Sequence, residues 1–273
     1  MIEMQYENIS INVKGSNNTA MFTGYFLDNT EEIDGERIRP TVLICPGGGY
    51  AMISNREAEA VAMQFLGAGC HAVILRYNVS PQRYPTALRE VAWCVAYLRK
   101  NSDKYHVDKS KIIIMGFSAG GHLAASYGLF WKKKNFLREE LCVSTEILRP
   151  NGLILCYPVI TSGKWAHKES FQNLLGKQYE ELVEEMSLEK QVSEDTPPVF
   201  LWHTQSDRLV PVENSLLFFQ ALHAHNIPVE MHIYHEGDHG LSLANEETRF
   251  RDGGGIVQEC QNWISMAIKW VKR

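Results

Sequence analysis

Ile112-Ile-Ile-Met-Gly-Phe-Ser-Ala-Gly-Gly121 is the stretch on which the reading of this chain turns. Four apolar residues, three of them β-branched, run into Gly116-Phe117-Ser118-Ala119-Gly120, and a helix-forming run from His122 to Phe130 follows at once. The pattern is a strand, a one-residue turn and a helix, with a serine at the turn. Glycines two residues either side of Ser118 let the backbone fold sharply. The spacing therefore predicts a nucleophile elbow, which lifts the Ser118 hydroxyl off the end of a sheet and sets a helix N-terminus beside it.

Outward from this turn, the same alternation repeats. Thr41 to Cys45 and His71 to Tyr77 are apolar throughout, as strands covered on both faces are. Gly152 to Tyr157, Val199 to His203 and Val229 to Tyr234 are three further strands. Helical spacing runs from Glu57 to Leu66, from Tyr84-Pro85 to about Asn101, from about Glu213 to His225 and from about Ile256 to Lys272. Strands alternating with helices predict an α/β chain with a doubly wound, mostly parallel sheet and helices on both faces. Residues 7–13 and 20–27, which alternate apolar and polar around Gly15-Ser-Asn-Asn18, predict an antiparallel hairpin at a sheet edge.

One segment breaks the alternation. Thr161 to Thr196 has no strand pattern, only helical acidic sequence (Tyr179 to Met186) and the aromatics Trp165 and Phe171. It reads as a small lid inserted over the C-terminal edge of the sheet, too short to be a domain. Residues 1–273 are accordingly expected to form one domain.

Composition narrows the function classes. The 45% hydrophobic and 22% charged fractions of these 273 residues are ordinary for a globular enzyme. A net charge of −5 supplies no basic field, so neither a nucleic acid nor an anionic membrane is an expected partner. The first ten residues lack the basic and apolar segments of a signal peptide, and no apolar run is long enough to span a bilayer. Six scattered cysteines without a C-x-x-C pair read as reduced packing thiols, which points to the cytoplasm. A homo-oligomer is compatible with a chain of this size.

A serine hydroxyl needs an adjacent base to react at neutral pH. His239, in the polar loop Glu236-Gly-Asp-His-Gly240 after the last strand, is the candidate base. Asp207, on the loop after the preceding strand, is the candidate carboxylate that orients it. Each of the three residues follows its own strand, which places all of them at the carboxyl edge of an open sheet. His235 competes with His239 for the role of base. Asp238 is adjacent to the base and poorly set to reach its far nitrogen, and Glu213 reads as a helix start. His71, His106, His167, His223 and His225 read as structural or solvated, His203 and His232 as packing residues in strands, and His122 as a packing or capping residue. His232 and His235 could mimic a metal pair, but positions three apart on a strand face opposite ways, so no metal site is expected.

Acyl transfer also needs preorganised donors for the charge that develops on the carbonyl oxygen. Pro46-Gly47-Gly48-Gly49-Tyr50, directly after a strand, offers the N–H groups of Gly48 and Gly49, and the residue after the serine adds that of Ala119. The loop matches neither phosphate-binding glycine pattern, so no nucleotide cofactor is expected.

Taken together, these residues resemble the α/β-hydrolase superfamily. The Pro46-to-Tyr50 loop is similar to the H-G-G-G loop of lipase- and esterase-type members, with Pro46 where those carry histidine. Cys45 to Tyr50, Gly116 to Ala124, Asp195 to His203 and Glu236 to Leu241 most resemble the acetyl xylan esterase-like carbohydrate esterases. The resemblance covers roughly residues 20–272. It implies a cofactor-free serine ester hydrolase that removes acetyl groups from xylo-oligosaccharides inside the cell, with a small-molecule ester as its partner. Trp165 and Phe171 would then be candidates to stack on sugar rings. The alternatives are a short-chain carboxylesterase that does not act on sugars, a serine peptidase, and a binding protein that uses the fold as a receptor.

Overall fold

The structure is a computed structural model that describes residues 4–273. Eight strands form one sheet: β1 Gln5–Ser10, β2 Met21–Phe26, β3 Arg39–Cys45, β4 His71–Arg76, β5 Val107–Phe117, β6 Gly152–Cys156, β7 Val199–Thr204 and β8 Val229–Tyr234. Their order is β1-β2-β4-β3-β5-β6-β7-β8. β1 and β2 pair antiparallel, β2 pairs antiparallel with β4, and every pairing from β4 to β8 is parallel. The hairpin therefore closes one edge of a parallel sheet, as its alternating sequence predicts.

β3, β4, β6 and β7 are buried almost from end to end, and the fully apolar runs belong to these inner strands. Two apolar layers cover the faces. Helices Thr86–Lys100 and Ser118–Phe130 pack on one, where Leu88, Val91, Leu98, Leu123 and Phe130 are buried. Helices Glu59–Gly67 and Trp263–Lys272 pack on the other, with Phe65, Trp202 and Trp263 at its centre.

Several boundaries differ from the expected ones. The elbow strand is longer than its apolar run: Val107 pairs with Arg39 at the far end of β3, and the register shifts before pairing resumes at Thr41 and Ile112. The helix expected from Glu57 starts at Glu59, after a single turn over Asn55–Glu57. The turn puts the Glu57 side chain in the interior, where it makes polar contacts described below. The closing helix begins only at Trp263, preceded by a tighter turn over Gln258–Asn262. A helix at Asn135–Leu141 carries too few apolar residues to show a stripe and was not expected.

The insertion between β6 and β7 holds a helix at Lys168–Leu175, a short helical turn at Tyr179–Leu182 and a tight turn at Leu188–Lys190. It packs into the interior: Phe171, Leu174, Leu175, Met186 and Leu188 are all buried in the larger core. Tyr84 N–H donates to Leu174 C=O at 2.8 Å, which ties the middle of the segment to the body, and Leu188 N–H donates to Ile160 C=O at 3.0 Å, which ties its end back to its start. Phe171 is 1% exposed and lies edge-on to the His122 ring at 5.2 Å. It is a core residue and is not free to stack on a sugar. The Trp165 ring is half-buried and lies under the Lys164 ammonium at 4.4 Å.

Candidate active site

The elbow is built by close approach. A Cβ on Gly116 would meet Gly120 C=O at 2.0 Å, and one on Gly120 would meet Cys45 C=O at 2.1 Å. Only glycine lets β5, the following helix and the end of β3 come so near. Between them Ser118 takes a φ of +51°, a left-handed conformation that costs a non-glycine residue about 1–2 kcal/mol. Ser118 opens the helix Ser118–Phe130, so its Oγ stands at the helix N-terminus. The N–H of Ala119 lies in the first turn, where no intrahelical acceptor exists.

His239 lies between the two other predicted residues. Its Nε2 is 2.7 Å from Ser118 Oγ, and its Nδ1 is 2.6 Å from Asp207 Oδ2. Asp207 is buried, and its Oδ1 accepts the backbone N–H groups of Leu209 and Val210 at 3.0 and 2.9 Å. His203 Nε2 lies 2.9 Å from Val210 C=O and 3.3 Å from Asp207 Oδ2. A carbonyl can only accept, so this nitrogen carries the proton and is shared between two acceptors. Ser215 Oγ, 2.7 Å from Nδ1, donates to the other side of the same ring. Burial works against ionisation of Asp207, but the hydrogen bonds from His203 and His239 outweigh it, and the carboxyl is held below its ordinary range. The His239 Nδ1 therefore carries a proton, and Nε2 faces Ser118 as an acceptor.

Cross-ties hold these loops together. Thr204 Oγ1 and Ser206 Oγ donate to Gly237 C=O at 2.8 and 3.1 Å, joining the Asp207 loop to the His239 loop. From the other side, Arg56 donates to Gly240 C=O at 2.7 Å and to Thr248 C=O at 2.8 Å. The competing histidine, His235, is exposed, with Gln205 and Glu236 as its polar neighbours. Asp238 is exposed as well, and Glu213 opens the helix Glu213–Ala224.

The glycine loop lies against the elbow. Gly48, Gly49, Ser118 and His239 line one cleft of about 340 Å³, with Met52, Leu209 and His167 at its sides. The buried Glu57 carboxylate accepts Gly47 N–H at 2.7 Å on one oxygen and the Tyr157 hydroxyl at 2.7 Å on the other. Tyr157 in turn lies edge-on to the His239 ring at 5.1 Å. Tyr50, at the end of the loop, donates to His122 Nδ1 at 2.9 Å, while His122 Nε2–H donates to Met186 C=O at 3.0 Å. His122 thus packs, as expected, and joins the glycine loop to the insertion. The sequence gives no signal for Glu57 or Arg56; it reads His203 as a strand packing residue, which the structure buries against Asp207, and His167 as structural or solvated, whereas the structure sets it at the cleft. Glu57 and His203 sit within helix-like and strand-like runs, and only the folded chain brings their partners to them. Among the described residues, no group of three or more His, Cys, Asp or Glu side chains could hold a metal ion. No helix is long and apolar enough to cross a membrane, and all six cysteines are free thiols.

Comparison with known proteins places this geometry. Residues 27–222 match the BD-FAE family model. Endo-1,4-beta-xylanase B of Butyrivibrio fibrisolvens is 41% identical over 77% of this chain, and an acetylxylan esterase of Xylanibacter ruminicola is 30% identical over 80% of it. The matched regions span only 33% and 44% of those two longer proteins. The crystal structure of an acetyl ester-xyloside bifunctional hydrolase from Caldicellulosiruptor lactoaceticus is 34% identical, with a TM-score of 0.82 over 97% of this chain and 95% of that one. The sheet order, the elbow and these matches agree, and the chain is an α/β-hydrolase of the BD-FAE family.

Proposed function

We propose that this protein is a serine ester hydrolase that removes short acyl groups, acetyl foremost, from carbohydrate esters such as xylo-oligosaccharides. The single observation that carries the chemistry is His239, hydrogen-bonded at once to Ser118 Oγ and to the buried Asp207 carboxylate. In this reading His239 Nε2 takes the Ser118 proton as Oγ attacks the ester carbonyl. Asp207 keeps the imidazole oriented and stabilises its protonated form. The N–H groups of Gly48, Gly49 and Ala119 hold the oxyanion. The imidazolium then protonates the departing alcohol, and water, activated by the same histidine, releases the acid from the acyl-enzyme. No step calls on a cofactor.

The acetyl and xylan parts of the proposal rest on the similarity to an acetylxylan esterase and to an acetyl ester-xyloside hydrolase. A short-chain carboxylesterase acting on apolar alcohols is the second reading. It is favoured by the exposed Met52 and Leu209 side chains at the cleft. Acetate release from acetylated xylo-oligosaccharides, set against hydrolysis of simple alkyl acetates, separates the two. A kcat/KM for the sugar esters no higher than for the alkyl acetates would refute the carbohydrate assignment. Failure of a fluorophosphonate to label Ser118 would refute the serine mechanism.

A further inference from the structure

We propose that His167 reads the alcohol side of the substrate, donating a hydrogen bond from Nε2 to a hydroxyl or ring oxygen next to the scissile ester. This deepens the ester-hydrolase reading and rests on it. His167 immediately precedes the insertion helix Lys168–Leu175 and lines the same cleft as Ser118, Gly49 and His239. Its Nδ1 is 2.8 Å from Ser170 Oγ. Ser170 is 1% exposed, and its hydroxyl has no other acceptor among the described residues. The Ser170 proton therefore goes to Nδ1, which leaves the ring proton on Nε2. That N–H has no hydrogen-bond partner among the described residues.

The ring is also suited to remain uncharged. Burial lowers its affinity for a proton, and the nearby His239 lowers it further, most of all when His239 is protonated during the reaction. A neutral, half-buried donor beside the nucleophile favours an alcohol that offers it an oxygen. An apolar alcohol would displace water from the N–H and leave it unpaired. The substrate class that fits is therefore an ester of a sugar or other polyol with a free oxygen function adjoining the acylated one.

The test compares a xyloside monoacetate carrying a free neighbouring hydroxyl with its deoxy counterpart, using the wild type, His167→Ala and His167→Gln. The wild type should favour the hydroxylated ester by roughly threefold to tenfold in kcat/KM, the worth of about one hydrogen bond. In His167→Ala this preference should fall to near unity, mainly through KM. His167→Gln, which keeps an N–H donor, should regain part of it. An unchanged preference in His167→Ala would overturn the proposal, as would an equal loss on both esters. If the wild type turned over neither ester, the carbohydrate-ester reading would fall and this proposal with it.

Discussion

Glu57 and Tyr157, a hundred positions apart in the chain, meet through a buried 2.7 Å hydrogen bond. The other oxygen of Glu57 accepts Gly47 N–H, so one carboxylate fixes the start of the glycine loop and the phenol beside His239. Tyr157 Oη also accepts Ser242 N–H at 2.9 Å, which extends the tie into the segment after His239. Donors on both sides satisfy this buried acid.

Removing that acid should be costly. Glu57→Ala leaves two buried donors unpaired, each worth about 1–3 kcal/mol. A fall in melting temperature of roughly 5–15 °C is expected for a chain of this size. Turnover should fall too, because Gly47 adjoins Gly48. Calorimetry with a kcat measurement tests this, and a variant that melts within a degree of wild type would refute it.

The two proposed oxyanion glycines should respond unequally to alanine. A Cβ on Gly48, at φ +128°, would sit 2.1 Å from Met52 C=O, whereas one on Gly49, at φ +64°, meets nothing nearer than Ser170 Oγ at 3.9 Å. Gly49→Ala should cost about 1–2 kcal/mol of backbone strain and keep the loop. Gly48→Ala must displace the loop and should lose at least about a hundredfold in kcat, the scale of one misplaced oxyanion donor. Similar kinetics for both variants would contradict the assignment.

Asp207 has more donors than any other buried carboxylate near the cleft, and they differ in consequence. Asp207→Asn should lower kcat on an aryl acetate by about ten-thousandfold, because the amide no longer selects the tautomer of His239 that can accept the serine proton. His203→Ala removes one donor of four and should cost on the order of tenfold to a hundredfold. A larger loss in His203→Ala than in Asp207→Asn would refute this order.

Acid should loosen the fold in two stages. Burial pushes His122 down to about 4, although the Met186 carbonyl raises it somewhat, and burial likewise pushes His71 down to about 4. An unfolded histidine titrates near 6.5. Between those values the unfolded chain binds protons that the folded chain does not, so stability falls as pH drops from about 6.5 toward 4. The Asp207 contribution has the opposite origin, a folded pKa below the unfolded one. It is intact above about pH 4 and is lost only below it. Melting temperature should therefore decline from pH 7 to pH 5, and less steeply in His122→Asn. An identical slope in that variant would exclude His122 as a cause.

By itself, the sequence determined the architecture and the local form of each candidate site position. Apolar runs of strand length can be buried only in a sheet covered on both faces, and glycines at 116 and 120 permit only one sharp turn around Ser118. The order Ser118, Asp207, His239 follows, because each stands just after a strand of that sheet. These signals are short-range, written in periodicity and turn chemistry within a few residues. The tertiary structure decided what depends on residues far apart. It turned Glu57 inward to join the glycine loop to Tyr157, placed His203 on Asp207, took Phe171 into the core and set His167 at the cleft. A buried polar side chain is recognised by its partner, and chain separation hides the partner until the sheet brings both to the same edge.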